Sequence, residues 1–388
     1  MYFFYMIQKY VLSKKNYQLF KKHSYITPEF QLLLCVIKII LLKTSIPLPT
    51  NNYDESKLLQ LIKRNNLSAF IAAHIHLFQE LEKIKPSITQ LSKINLSKNL
   101  LLQADLLKVI DLTTENNLYL VLFKGHPVNE MIYGNNNGRT STDIDIMLPP
   151  EELQLLENIL FEKEYIIDRP SFEMNEKEFK LFLKIDNKKS YFSPNKSKLD
   201  VHFKLFKNPY LIALPKEEEK YLLRTTFFNR NIYRMNNQYT LLYLMVDGKI
   251  HYWEKMMWLI DIVKLMEKMS ENELSASYDL AKKNKLDHLF IATISLCNVV
   301  FESPIPPPFE NKITSKHAEY IMLALKSLSG KNNSKLSKWK QRVSMKPDLK
   351  YFLYQISLFP TRDINIVRIP FAKRILYPLF RPITHLFS

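Results

Sequence analysis

Glycine, scarce in this chain, sets the tightest constraint on its fold. Only five glycines occur in 388 residues, and three of them, Gly125, Gly134 and Gly138, fall within fourteen positions. A chain of ordinary composition and this length would carry about 27. Glycine lets the backbone turn with positive φ or approach a ligand closely, so such work is concentrated in that one stretch. Collagen-like, linker-rich and multi-P-loop architectures are excluded. The chain contains neither G-x-G-x-x-G nor G-x-x-x-x-G-K-[ST], which excludes ATP binding of the Rossmann or P-loop kind.

The remaining composition is that of a globular protein. At 46% hydrophobic and 24% charged, the chain can bury a substantial core, and its length suggests two or three domains. Lys and Arg number 55 against 38 Asp and Glu, a formal charge of +17. That balance favours polyanionic or phosphorylated partners, although a Lys-rich and Asn-rich composition is also what an AT-rich genome produces. Cys35 and Cys297 lie in apolar, helical-looking stretches with no metal-ligand spacing, which implies buried thiols and a cytoplasmic setting. The longest apolar run, residues 32–42, is interrupted by Lys38. It falls well short of the roughly 20 residues a transmembrane helix needs, so no transmembrane segment is expected.

Apolar periodicity predicts helices over residues 28–42, 56–62, 69–81 and 100–112. The period changes at 118–123, a short apolar run that reads as a buried strand entering a tight turn at Lys124-Gly125. Pro127 then opens a helix reaching Tyr133. Strands are expected at 143–148, 179–185 and 198–206, with an amphipathic helix at 151–162 between the first two. From Tyr239 the pattern is helical again, through 239–269, 274–283, 286–301 and 317–328. The expected fold class is α+β, with a small mixed β-sheet core flanked by N-terminal and C-terminal helical regions. The division expected is an arm at 1–25, a helical region at 26–115, the α/β core at 116–210 and a mainly helical domain at 211–388.

The chemistry concentrates at Asp143-Ile144-Asp145-Ile146. A strand projects residues i and i+2 to one face, so both carboxylates point one way and both isoleucines the other. Paired carboxylates repel unless a cation lies between them. Taken alone, a solvated strand end explains D-x-D better than a metal site does, because so short a motif recurs by chance. The surroundings shift that balance. A glycine at a strand-to-helix turn offers backbone N–H groups and a positive helix end to an anion, and Lys124, Arg139, Ser141 and Thr142 lie where they could contact phosphate oxygens. Asp200 and His202 share a face of a second alternating segment. Three carboxylates on neighbouring strands can hold two metal ions for an in-line phosphoryl displacement.

These residues resemble a family. Leu122-Phe-Lys-Gly125, Tyr133-Gly134, Gly138-Arg139-Thr-Ser-Thr-Asp143-Ile-Asp145, Asp200-Val201-His202-Phe203, and then His251 with Trp258-Leu-Ile-Asp261 are similar in order and spacing to the uncharacterised bacterial nucleotidyltransferase family of the DNA polymerase beta-type superfamily. The resemblance runs from about residue 24 to near the C-terminus. It implies transfer of a nucleoside monophosphate from an NTP to an acceptor hydroxyl or phosphate, with release of pyrophosphate. It implies two Mg²⁺ ions, with Mn²⁺ as the alternative, held by Asp143, Asp145 and Asp200, and a catalytic role for Asp200 in activating the acceptor. Lys124 and Gly125 would face the triphosphate, together with Arg139, Ser141 and Thr142. The superfamily pattern keeps Gly-Gly or Gly-Ser at this turn, where this chain has Gly125-His126-Pro127.

The acceptor is open between a peptide, an RNA and a small molecule. An RNA-modifying, tRNA-targeting toxin and a catalytically weak nucleotide- or nucleic-acid-binding protein on the same fold are the alternative readings. His202, His251 and Asp261 are candidates for contacting the acceptor or supporting the site. Ten residues separate His251 from Asp261, close to whole helical turns, so both are expected on one face of one helical segment. Trp253, Met256, Met257 and Trp258 read as core. The basic aromatic tail at 369–388 is expected to pack on the helical domain in preference to a membrane surface.

Overall fold

A capping side chain followed by an apolar stripe starts several of the helices. The computed structural model describes residues 26–44, 47–49, 53–134, 138–172, 174–213, 221–314 and 317–358, so the expected arm at 1–25 and the tail at 369–388 lie outside the described residues. Helix α1 (Pro28–Leu42) begins where the Thr27 hydroxyl accepts from the Phe30 amide, with proline in the first turn. Helix α2 (Glu55–Arg64) is capped by Asp54 in the same way. The helix expected over 69–81 is instead a short α3 (Ser68–Ala72) and two 3₁₀ turns. Helix α4 (Lys85–Glu115) starts well before the expected residue 100. Its first half is largely exposed and so lacks the apolar period that marks the second.

The chain divides into two compact units. Of the described residues, the first takes those up to Ser97, within Asn129–Thr140 and within Asn237–Trp339; the second takes those within Lys98–Val128, within Ser141–Asn236 and from Lys340 to Leu358. The second unit holds the sheet. Its elements are the end of α4, β1 (Val121–Leu122), the start of α5 (His126–Tyr133), β2 (Ile144–Met147), α6 (Leu153–Glu162), β3 (Ile166–Arg169), α7 (Glu176–Ile185), β4 (Lys188–Phe192), β5 (Lys198–His202), β6 (Leu222–Phe227) and β7 (Arg230–Met235). All seven strands form one mixed sheet in the order β3-β4-β5-β2-β1-β7-β6. β2 runs parallel to β5 and antiparallel to β1, while β1 runs parallel to β7.

The segment 179–185, expected as a strand, is helix α7. Asn175 and Glu178 form a capping box that starts it, each side chain bonding the other's backbone N–H at 3.0 Å. Phe179 and Phe182 then stack three residues apart at 6.3 Å. The two-residue alternation of Phe179, Leu181 and Leu183 is incidental, because all three pack against the core while α7 buries Phe182 and Ile185 fully. The true strand follows at β4, whose Lys-Lys-Ser start carries no apolar signal. Ile144 and Ile146 of β2 and Leu199 and Val201 of β5 form one core with Leu156 and Leu160 of α6, Phe182, and Leu106 and Val109 of α4.

The first unit is helical. Beyond α1–α3 it contains α8 (Asn237–Ile250), α9 (Met256–Glu267), α10 (Glu271–Lys283), α11 (Asp287–Phe301), α12 (Ala318–Leu328) and the start of α13 (Lys335–Val343); α14 (Leu349–Ser357) belongs to the sheet unit. Helices α1 and α11 are apolar around most of their circumference, as interior helices are. Gly248 lets Trp253 lie directly against α8: a Cβ there would come within 2.2 Å of the indole ring. The buried indole N–H donates to Tyr320 Oη at 2.7 Å. Replacing Gly248→Ala forces a methyl into that contact and is expected to cost about 1–3 kcal/mol of stability. Thermal unfolding by circular dichroism reads this directly, and an unchanged midpoint would contradict the contact.

Candidate active site

Strand β1 delivers the chain into a turn that only glycine makes easily. Gly125 has φ +71°, in the left-handed region that side chains disfavour, and α5 begins at the next residue, turning its positive end toward the turn. The Lys124 ammonium lies 3.6 Å from Asp145 Oδ2. His126 is buried, and its Nε2 meets the Asn99 backbone oxygen at 3.0 Å, so the ring packs onto α4. Asn99 Oδ1 in turn accepts from the Ser141 amide at 2.9 Å.

The acidic residues come together through the pairing of β2 with β5. Their parallel register sets Asp145 beside Asp200 and Met147 beside His202. Ile144, Ile146, Leu199 and Val201 enter the core, which leaves the polar residues on the other face. Asp143 sits one residue before β2 and accepts from the Thr142 hydroxyl at 3.1 Å. His202 donates Nε2–H to Asp145 Oδ1 at 2.9 Å. The Asn187 amide donates to His202 Nδ1 at 3.3 Å, which completes the assignment of the ring's tautomer. Asp145, Asp200 and His202 each offer a ligand atom within 4.8 Å of the others, so this buried group could hold a metal ion.

Electrostatics follow from crowding three carboxylates. Burial raises the Asp143 carboxyl above its ordinary range, and the Asp145 charge adds to that against the pull of Lys124. Burial pushes Asp145 upward too, but the Lys124 ammonium and the His202 hydrogen bond outweigh it and hold the carboxyl below its usual range. A divalent cation fits this donor set, since carboxylate oxygens of Asp145 and Asp200 converge with a His202 ring nitrogen on one buried place.

Two further residues join the site from β4. Lys188 pairs with Asp200 Oδ2, and the Ser190 hydroxyl donates to Asp200 Oδ1 at 2.5 Å. The antiparallel register of β4 with β5 places Lys188 beside His202 and Ser190 beside Asp200. Lys198 stands 3.9 Å from Asp200 Oδ1 and pairs more closely with Asp168. Sequence reasoning passed over Lys188 and Ser190 because β4 itself went unrecognised; their spacing of two residues was the available signal.

Other expected site residues lie in the helical unit. Arg139 Nε pairs with Asp261 Oδ2 at 2.9 Å, its Nη1 donates to Asn129 Oδ1 at 3.3 Å, and the Tyr133 hydroxyl donates to Asp261 Oδ1 at 2.7 Å. Burial raises the Asp261 carboxyl against the pull of Arg139. His251 and Asp261 do not share a helix. Tyr252 and Trp253 both adopt positive φ between α8 and α9 and break the segment, leaving His251 exposed at 3.6 Å from Asp247 while Asp261 is buried. Trp253, Met256 and Met257 are core residues.

A family model described as "Uncharacterised nucleotidyltransferase" matches residues 51–302. The chain belongs to this family. No curated protein and no solved structure matches it. This nucleotidyltransferase therefore carries its buried Asp-Asp-His group on strands within the matched region. Among the described residues no helix is long and apolar enough to cross a membrane.

The Lys188–Asp200 pair generates a prediction. Lys188→Met leaves the buried Asp200 carboxylate short of a partner, an effect softened because the Lys188 side chain is 35% exposed. The metal-free protein is expected to lose about 1–3 kcal/mol, and Mg²⁺ is expected to raise the melting midpoint of the variant more than that of the wild type. Equal shifts with and without Mg²⁺ would count against a cation at this position.

Proposed function

We propose that the protein transfers a nucleoside monophosphate from an NTP to an acceptor hydroxyl or phosphate, using the fold and chemistry of the DNA polymerase beta-type superfamily. One observation carries the reading: in a chain of nucleotidyltransferase ancestry, the β2–β5 register sets Asp145 beside Asp200 on the face opposite the core, with Asp143 close enough to feel both charges. Asp143, Asp145 and Asp200 would hold two Mg²⁺ ions, or Mn²⁺. Bound there, such ions would supply charge neutralisation for the transferring phosphoryl group and its leaving oxygen.

The remaining work falls to the chain's own residues. The Gly125 turn and the N-terminus of α5 direct backbone N–H groups at the triphosphate, and Lys124 adds a positive charge beside Asp145. Ser141, Thr142 and Arg139 are the other candidates for phosphate contact, all within four residues of Asp143. His202 keeps the Asp145 carboxylate in one orientation, because its own tautomer is held by Asn187. Asp200, steadied by Ser190 and Lys188, accepts the acceptor's proton at a carboxylate oxygen. The acceptor oxygen then bonds to the α-phosphorus as the α–β phosphoanhydride bond breaks, and pyrophosphate leaves. His126 does not support a non-catalytic reading, since its ring is buried against α4.

The test is incubation with each α-³²P-labelled NTP and a cell lysate, followed by separation into peptide, RNA and small-molecule fractions. Label is expected to move to one class of acceptor, to depend on a divalent metal, and to fall by about 10²-fold or more in Asp143→Ala and Asp145→Ala. Transfer from none of the NTPs, or transfer that survives both substitutions, would overturn the assignment. The fraction that gains label also identifies the acceptor class.

A further inference from the structure

Asn99 occupies an unusual place. It lies inside α4, 3% exposed, one turn before Leu102 on the stripe that continues through Leu106 and Val109 into the core. Asparagine is a poor choice for a helix interior, and a buried amide is tolerated only when its polar atoms are bonded. Here the side-chain oxygen and the backbone oxygen of Asn99 bond to two segments far apart in sequence. Asn99 Oδ1 accepts from the Ser141 amide, and the Asn99 backbone oxygen, which has two lone pairs, accepts from His126 Nε2–H.

Those two segments border the acidic cluster. His126 follows Gly125 in the anion-binding turn, and Ser141 stands two residues before Asp143. Neither Gly125 nor Ser141 is part of a strand, so sheet hydrogen bonds do not hold them. Further along the same helix, Asp105 accepts from Ser193 Oγ and Asn195 Nδ2, each at 2.7 Å, in the turn between β4 and β5. Helix α4 thus reaches three of the connections that surround Asp145 and Asp200, and a single residue spans two of them.

We propose that Asn99 and His126 are positioning residues of the nucleotide site, joining the phosphate-binding turn to the entry of the acidic strand. This rests on the nucleotidyltransferase reading above. An in-line displacement tolerates little error in the distance between phosphate cradle and carboxylates, and the Asn99 bonds set that distance through a rigid helix. His126 then has a purpose: its ring fastens a turn that contains only one glycine. Neither side chain is assigned to touch the nucleotide.

The experiment uses the full chain with three variants. His126→Phe keeps the ring and loses the donor, His126→Gln keeps a donor at nearly the same reach, and Asn99→Leu removes the acceptor for Ser141. Each protein is titrated calorimetrically with MgATP, MgGTP, MgCTP and MgUTP, and hydrogen exchange of the segment containing Ser141 is followed without nucleotide. For the NTP that the wild type binds most tightly, His126→Phe and Asn99→Leu are expected to weaken binding about tenfold, with His126→Gln within about threefold of wild type. Exchange at Ser141 is expected to accelerate in Asn99→Leu. A residue that merely stabilised the fold would lower melting temperatures without separating Gln from Phe. The His126 pair decides the matter if Asn99→Leu does not fold. Wild-type affinity in His126→Phe, or equal loss in Phe and Gln, overturns the positioning role alone; a wild-type protein that binds none of the four NTPs overturns the nucleotide reading and the positioning role with it.

Discussion

The parallel pairing of β2 with β5 is the constraint on which the site depends. In that register the side chains alternate in concert, so Ile144, Ile146, Leu199 and Val201 enter the core while Asp145, Asp200 and His202 share the other face. A slip of one residue would exchange the two sets and bury the carboxylates among leucines. The apolar face therefore enforces the polar one. The same burial that stabilises the sheet also raises the Asp143 carboxyl, and the negative charge concentrated at Asp145 adds to it.

Charge in that cluster is balanced from both neighbouring elements. Lys124 approaches Asp145 from the turn after β1, and Lys188 approaches Asp200 from β4. Their ammonium groups neutralise part of the cluster, and the unbalanced remainder is what a divalent cation would meet. Hydrogen bonds orient the carboxylates: His202 on Asp145, Ser190 on Asp200, Thr142 on Asp143. Such partners convert a concentration of acid into an arrangement with direction. In the helical unit a separate buried network joins Arg139 to Asp261 and Tyr133, which shows how a motif arginine can take part in local structure as well as in any contact with a phosphate.

Much of this was legible in the residues. The Lys124-Gly125 turn, the helix from Pro127 and the alternation Asp143-Ile144-Asp145-Ile146 are local patterns, and local stereochemistry enforces them. Strand β4 was not legible, because Lys188-Lys189-Ser190 carries no apolar alternation. Its outward groups answer to Asp200, and buried Lys189 is matched by Glu157 of α6. Helix α7 was misread for the opposite reason: Phe179, Leu181 and Leu183 alternate, yet the Asn175–Glu178 capping box starts a helix that is apolar on more than one side. The break between α8 and α9 was hidden because Gly248 and Trp253, which make it close-packed, look like ordinary members of a helical run.

The sequence by itself determined where the glycine turn lies, that Asp143 and Asp145 stand together at the start of the acidic strand, and membership of a nucleotidyltransferase family, since each follows from residues close along the chain or from their order. The tertiary structure decided which residues meet those carboxylates. Lys188, Ser190 and Asn187 reach the site through strand register, and Asn99 reaches it from a helix that precedes the sheet. Such contacts depend on long-range pairing, which local periodicity does not encode. His126 shows the difference most plainly: along the chain it is a bulky residue beside a glycine turn, and in the fold its ring hydrogen-bonds to the carbonyl of Asn99.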